Sequence, residues 1–232
     1  MRFNFRLIAL CLAASVLAGC AGGSGSFGSF GGGDTSRPKA IYVGDFIFGD
    51  GVVAVDRSFT ARLERKIGAF PTFERKQRTN ERTNDEIVAA IVVTLREAGL
   101  DAQPGNEDTL SLKDDAVVVS GTLRAVNAEA AKKNQVGFGS GRAGVIADMS
   151  VTRSKRQLLA FSADLGKRAG AAPSGKQAAA RNAMFAESLA GSKAATEKLS
   201  PDVEAQARSL GRAIGDKVVA YAKEQGLSLI HI

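Results

Sequence analysis

From Ala40 to Phe48 the chain reads Ala-Ile-Tyr-Val-Gly-Asp-Phe-Ile-Phe, and Gly49-Asp50-Gly51 closes it. A short run rich in β-branched and aromatic residues, stopped by turn formers, predicts a buried strand. Residues 51–82 are less regular. Phe59, Leu63 and Ile67 recur every four residues and predict a helix from Ser58 to Ile67, whereas Phe70-Pro71-Thr72-Phe73 reads as loop. The next element is better marked. Ile87, Ile91 and Leu95 share one helical face, widened by Val88 and Val92. Thr83 and Glu86 have capping-box spacing, Asp85 and Glu86 suit the positive end of the helix dipole, and Gly99 supplies a left-handed stop. These signals predict a helix over 84–98.

Leu100 to Gln103 reads as a short strand ahead of Pro104-Gly105. In Ala116–Val126, Val117, Val119, Leu123 and Ala125 alternate with Ser120, Thr122 and Arg124, the period of a half-buried strand. Gly144–Thr152 alternates again, Arg153-Ser154-Lys155-Arg156 is polar and turn-like, and Gln157–Ala163 returns apolar, so 144–163 predicts a hairpin. Lys176–Ala190 is Ala-rich and helical in character, with little to bury beyond Met184, Phe185 and Leu189. The final helix starts at Ser200 as N-cap with Pro201 in its first turn. Its stripe is Val203, Ala207, Leu210, Ile214 and Val218, and Gly226 ends it. Gly211 and Gly215 inside it either weaken the helix or let it pack closely on the sheet. The sum is an α+β fold, a mixed sheet of four to five strands packed with two main amphipathic helices, 84–98 and 201–225.

Ahead of this body lies a different kind of sequence. Arg2 and Arg6 precede an apolar run, Leu7 to Leu17, of about eleven residues. That is the length of a signal-peptide core and too short to span roughly 30 Å of hydrocarbon. The run ends in Leu17-Ala18-Gly19-Cys20. Small residues fit an extended peptide into a peptidase cleft, and the Cys offers a thiol for a lipid. The stretch resembles a bacterial lipobox. The resemblance implies diacylglycerol on Cys20, cleavage before it, and acylation of the new N-terminus, for instance by palmitate. The alternative is an ordinary cleaved signal with a chance Cys. Ala21 and Gly22 follow, and the absence of Asp at the first of these positions implies transport to the outer membrane rather than retention in the inner one. Residues 1–19 are then the signal peptide. Residues 20–38 are a lipidated Cys and a Gly/Ser-rich tether with a reach of roughly 25 Å. Residues 39–226 form a periplasmic domain.

Composition narrows the chemistry. The 232 residues contain one His, His231, and two Cys, Cys11 and Cys20, both in the first twenty positions. Zinc ligation by His and Cys, Ser-His-Asp or Cys-His catalysis, and a disulfide framework lack their residues in the body of the chain. Neither a metal nor a cofactor is expected. Gly139, Gly141 and Gly144 have dinucleotide-motif spacing, but the residues after them alternate like a strand, so no helix N-terminus would meet a pyrophosphate. The run is instead a tight turn or bulge, or a partner-contact loop made by Gly137, Phe138, Gly139 and Gly141.

Several pieces now line up. A lipobox leads to a strand ending Gly44-Asp45-Phe46, then to a capped helix ending Ala98-Gly99-Leu100. Ser120-Gly121-Thr122, the glycine run 137–141, an alternating hairpin and a C-terminal amphipathic helix follow. Over roughly residues 40–225 the chain resembles the bacterial lipoprotein family catalogued as domain of unknown function 4410. The resemblance implies a small periplasmic α/β domain without assigned activity or catalytic residues. The layout is also similar to lipoprotein domains of curli-secretion and penicillin-binding-protein-activator type. No long alternating hairpin suited to a barrel is visible, so pore formation is not carried over.

Net charge is +7, and residues 57–82 concentrate it. Arg57, Arg62, Arg65, Lys66, Arg75, Lys76, Arg78 and Arg82 face only Glu64, Glu74 and Glu81. This stretch is either a solvated mixed-charge surface or a contact for acidic head groups or cell-wall polymer. Nucleic acid is not an expected periplasmic partner. Asp45, Asp114, Asp115, Asp148 and Asp164 form no recognisable pair in sequence; a cell-wall hydrolase would need two of them to meet in space. Leu227 to Ile232 resembles a translated sequencing-adapter scar, in which case His231 carries no function; a short terminal strand is the other reading. The leading expectation is a non-catalytic outer-membrane lipoprotein that binds another envelope component.

Overall fold

A computed structural model of the protein describes residues 38, 40–50, 52–54, 72–105, 116–125, 136–138, 145–165, 176–190 and 199–226. In chain order the elements are β1 (Ile41–Phe48), β2 (Val52–Ala54), α1 (Thr72–Glu97), β3 (Ala102–Pro104), β4 (Val117–Ala125), β5 (Val136–Phe138), β6 (Val145–Arg153), β7 (Arg156–Asp164), α2 (Lys176–Leu189) and α3 (Pro201–Glu224). Five strands form a mixed sheet in the order β3-β1-β4-β6-β7, and β2 pairs with β5 in a second, two-stranded parallel sheet. The expected α+β architecture is present, with one helix more than the two main ones and the small β2-β5 sheet in addition.

β1 lies between β3 and β4, parallel to both, and the β4-β6-β7 side is antiparallel. The pairing of β1 with β4 shifts between Val43 and Phe46. The shift explains why Ile41 and Val43 and then Phe46 all enter the core, whereas Ile47 faces outward. Gly121 sits beside this irregularity. A β-carbon there would lie 2.6 Å from the Met149 Sδ and 3.1 Å from the Phe46 ring, so glycine makes room for both.

α1 explains its own sequence. Every residue from Ile87 to Leu95 is buried. Ile87, Val88, Ile91, Val92 and Leu95 belong to the main core with the sheet and α3, while Ala89, Ala90 and Val93 pack with Phe185 of α2. A helix that is apolar nearly all round is one covered on more than one side. α3 buries the predicted stripe Val203, Ala207, Leu210, Ile214 and Val218, with Ala222 added.

Two boundaries differ from expectation. α1 begins at Thr72, twelve residues before the predicted start, and takes in Thr72 and Phe73, where the sequence predicts loop. Thr83 is no cap: it is fully buried within the helix and donates its Oγ1 proton to the Thr79 carbonyl at 2.7 Å. Glu86, its supposed box partner, binds arginines instead. The early turns carry little apolar surface, but Gln77–Glu81 and Arg82–Glu86 pairs four residues apart support them. The other end follows the sequence. Gly99 has φ +76°, its N–H binds the Arg96 carbonyl and Leu100 N–H binds the Leu95 carbonyl, a Schellman stop. Ser200 stands at the N-cap of α3 but its side chain makes no capping bond. The predicted helix 58–67 lies outside the described residues.

Gly211 and Gly215 serve close packing, but against α1 rather than the sheet. A β-carbon on Gly211 would fall 2.5 Å from Ala90 Cβ, and one on Gly215 2.7 Å from Thr94 Cβ. The small residues bring α3 against α1. With Arg208 bonded to Glu86, contacts progress in the same sense along both helices, so α1 and α3 run parallel.

Candidate functional site

The sheet face turned away from α1 and α3 carries a row of side chains with usable chemistry. Residues paired directly across strands share a face. The register therefore aligns Ile47 of β1, Thr122 of β4, Asp148 of β6 and Ser162 of β7. Ile47 is 68% exposed, the large apolar side chain most open to solvent among the described residues. Asp148 is the centre of the row. Arg124, the next residue of β4 on this face, donates from Nε to Oδ2 and from Nη2 to Oδ1, the latter at 3.4 Å. The Ser162 hydroxyl donates to Oδ1 at 2.6 Å. Partial burial pushes the Asp148 carboxyl up, but the bonds from Arg124 and Ser162 and the Arg124 charge outweigh it, leaving the group below the usual aspartate range. The same pairing raises Arg124. Asp148 is thus a fixed anion with its oxygens occupied by donors. It is suited to orienting a surface and has no proton to give as a general acid.

On the helix side, the buried carboxylate of Glu86 receives Arg82 at 2.7 Å and Arg208 at 2.8 Å. Arg208 also reaches Glu204 at 2.5 Å and lies 4.6 Å from the centre of the Phe185 ring, so it joins all three helices. Nearby, Asn84 of α1 accepts the Phe46 N–H at 2.8 Å and donates to Asp45 at 2.8 Å, fixing the β1 irregularity. Arg181 of α2 pairs with Glu97 at 3.3 Å. Burial first, then the Arg181 charge, lower the neighbouring Arg212. These groups are engaged with one another and hold the helical layer together.

The sequence candidates fall as follows. Leu17, Ala18, Gly19 and Cys20, with Gly139 and Gly141 of the glycine run, lie outside the described residues. Gly137 and Phe138 belong to β5, and Phe138 is fully buried, its ring centre 6.2 Å from that of Phe48. The Phe138 side chain is therefore core and not the partner-contact surface expected of it. Asp45 is held from the helix side by Asn84, whereas Asp148 and Asp164 share the opposite face, Asp164 pairing across strands with Ile146, the next residue on the Asp148 face; Asp114 and Asp115 are outside the described residues. Of the basic stretch, the described part forms the early turns of α1, where Lys76 and Arg78 are exposed and Arg82 is spent on Glu86. Asn84 contacts β1 near its C-terminal end, whereas Arg96 binds the carbonyl of Ala102, which pairs with Ile41. α1 thus runs antiparallel to β1, and its basic turns lie at the end of the sheet away from Ile41. The Arg124–Asp148–Ser162 array escaped the sequence reading. Only the pairing register joins its three members, and the sequence signal was no more than polar alternation in three separate strands.

Among the described residues no group of three or more His, Cys, Asp or Glu is placed to hold a metal, and no helix is long and apolar enough to cross a membrane. No family model and no curated protein matches the chain. Among solved structures, a PelC variant dodecamer from Paraburkholderia phytofirmans aligns at 12% identity over 72% of this chain and 96% of that one, with a TM-score of 0.30. So loose a superposition carries no argument about this protein.

Proposed function

We propose that this chain is a lipoprotein of the bacterial envelope, held at the periplasmic face of the outer membrane through acyl chains on Cys20, and that its folded domain is a non-catalytic binding or adaptor module. The observation that carries the reading is the Leu17-Ala18-Gly19-Cys20 sequence closing a signal-length apolar run. Two or three acyl chains hold a protein stably at a bilayer where one does not. The Gly/Ser-rich composition of residues 21–38, which precede β1 in the sequence, would keep the domain within roughly 25 Å of the membrane. A binding role is supported by the outer sheet face, where exposed Ile47 stands in line with Thr122, Asp148 and Ser162. A sheet face with an exposed apolar side chain two strands from a fixed anion suits recognition of a protein. Asp148, paired with Arg124, does not suit acid catalysis of glycoside cleavage.

Metabolic labelling with palmitate tests the anchor. Label is expected on the parent chain and absent from Cys20→Ala. An unlabelled parent whose Cys20 thiol still titrates would overturn the reading. Affinity capture of the acylated protein from envelopes, with and without Ile47→Asp, tests the module: a defined envelope protein lost with the substitution supports it, and identical recovery from both forms counts against this face.

A further inference from the structure

The hairpin joining β6 to β7 turns on Ser154 and Lys155, both with positive φ, 49° and 64°. Two central residues in that region define the tight turn that matches strand twist, and glycine or asparagine usually fills it. Here the strained second position holds a lysine. Ser154, Lys155 and Arg156 are all exposed, so the turn presents two cationic side chains at its tip. Arg153, the strand residue before it, is buried. The register locates this tip. Arg156 pairs with Arg153, Arg153 with Val117, and Val117 with Ile41, the first residue of β1. The basic turn therefore lies at the same end of the sheet as the point where the N-terminal segment joins the domain. Three strand spacings separate them, roughly 14 Å. Asp101, an exposed acid at that end, precedes β3 on the other side of β1. It is more than a Debye length from the tip, about 8 Å at physiological salt. The exposed cations of α1, Lys76 and Arg78, lie towards the opposite end.

We propose that the β6–β7 turn is a contact site for anionic phospholipid head groups, with Lys155 and Arg156 reaching phosphate. The proposal rests on the anchoring reading, because a chain tethered ahead of Ile41 brings this end of the sheet to the bilayer. The argument is charge complementarity combined with the place where the tether ends. A lysine stands where glycine would relax the backbone, so the turn geometry by itself does not account for the residue.

The test uses the full chain carrying Cys20→Ser, so that no lipid anchor contributes, in co-sedimentation with phosphatidylglycerol-containing and with pure phosphatidylcholine vesicles at low salt. Binding is expected to the anionic vesicles alone. Loss of each surface charge weakens such binding by roughly fivefold. Lys155→Gly is expected to bind about fivefold more weakly and yet to melt at a higher temperature, which separates lost charge from lost fold. Arg156→Gln should add a similar factor. Lys76→Gln with Arg78→Gln is expected to leave binding unchanged. Undiminished binding by the Lys155→Gly, Arg156→Gln chain would overturn the proposal, as would loss of binding confined to the α1 variant. Competition by inorganic phosphate at concentrations matched to the lipid would point to a free-anion site and also overturn it. Palmitate labelling is scored separately: no label with tip-dependent binding removes the anchor alone, and label without tip dependence removes this site alone.

Discussion

Gly211 of α3 packs against Ala90 of α1 so closely that a β-carbon on the glycine would stand 2.5 Å from Ala90 Cβ and 2.6 Å from the Ile87 carbonyl oxygen. The second contact is with backbone, which cannot rotate aside. An alanine at 211 would gain about 0.5–1 kcal/mol of helix propensity and lose about 1–3 kcal/mol to overpacking. Gly211→Ala is therefore expected to destabilise by about 1–2 kcal/mol. Gly215→Ala meets the Thr94 side chain, which can shift only by giving up its 2.8 Å bond to the Ala90 carbonyl, and should cost less. Urea unfolding midpoints decide the matter. A Gly211→Ala protein as stable as the parent would mean that the helices have room to separate.

Asn84 closes the irregular stretch of β1 with two bonds, one to the Phe46 N–H and one to the Asp45 carboxylate. Asn84→Ala leaves a buried backbone donor without its acceptor, a cost of about 1–3 kcal/mol. Asn84→Asp keeps an acceptor for Phe46 but sets two carboxylates together. It is expected to be as unstable as the alanine variant at neutral pH and to recover part of the loss in acid, where a proton can be shared. Thermal melts across the acid range read this directly, and equal loss at every pH would deny the contact with Asp45.

These bonds also mark how far the sequence could be read. The strands, the hairpin, the Gly99 stop and the α3 stripe were legible because burial on one face imposes a period and turns impose residue types. The start of α1 was not. Its first turns rest on ion pairs and hydrogen bonds, which leave no apolar period, and Thr83 and Glu86 have capping-box spacing while serving as a buried threonine and a buried ion-pair partner. Phe138 looked like a loop aromatic because three residues of strand are too few to show a period. The row Ile47–Thr122–Asp148–Ser162 depends on a shift in β1 and on the pairing of four strands, neither of which is local information.

Asp148 gives a pH dependence whose direction is fixed. Its folded carboxyl titrates below the usual aspartate range because the bonds from Arg124 and Ser162 overcome partial burial. The folded state therefore binds this proton less readily than the unfolded chain. The stabilisation is complete above the unfolded aspartate pKa and disappears as pH falls through the lower folded one. Arg124→Gln is expected to cost no more than about 1 kcal/mol at neutral pH, since both partners are largely exposed. The difference from the parent should shrink as pH drops below the ordinary aspartate value. Denaturant titrations at several pH values test it. A difference that persists unchanged in strong acid would assign the effect to lost packing of the arginine stem.

Glu86 and Glu204 bind the same arginine and should differ sharply in what they contribute. Glu86 is 1% exposed and serves both Arg82 and Arg208, whereas the Glu204 side chain is 37% exposed and serves Arg208 within one turn of α3. Removing the buried acid strands Arg82, whose Nε and Nη1 are already buried without hydrogen-bond partners, and leaves Arg208 with Glu204 alone. Glu86→Ala is expected to destabilise by about 3–5 kcal/mol, the range for breaking a buried pair. Glu204→Ala should cost less than about 1 kcal/mol. Replacing Glu86, Arg82 and Arg208 together with apolar residues of similar volume should recover much of the loss, because the penalty lies in the uncompensated charge rather than in the absence of the pair. Chemical denaturation of the three proteins orders them. If the triple variant were no more stable than Glu86→Ala, the cluster would have to be credited with positioning α1 against α3 through its geometry as well as its charge.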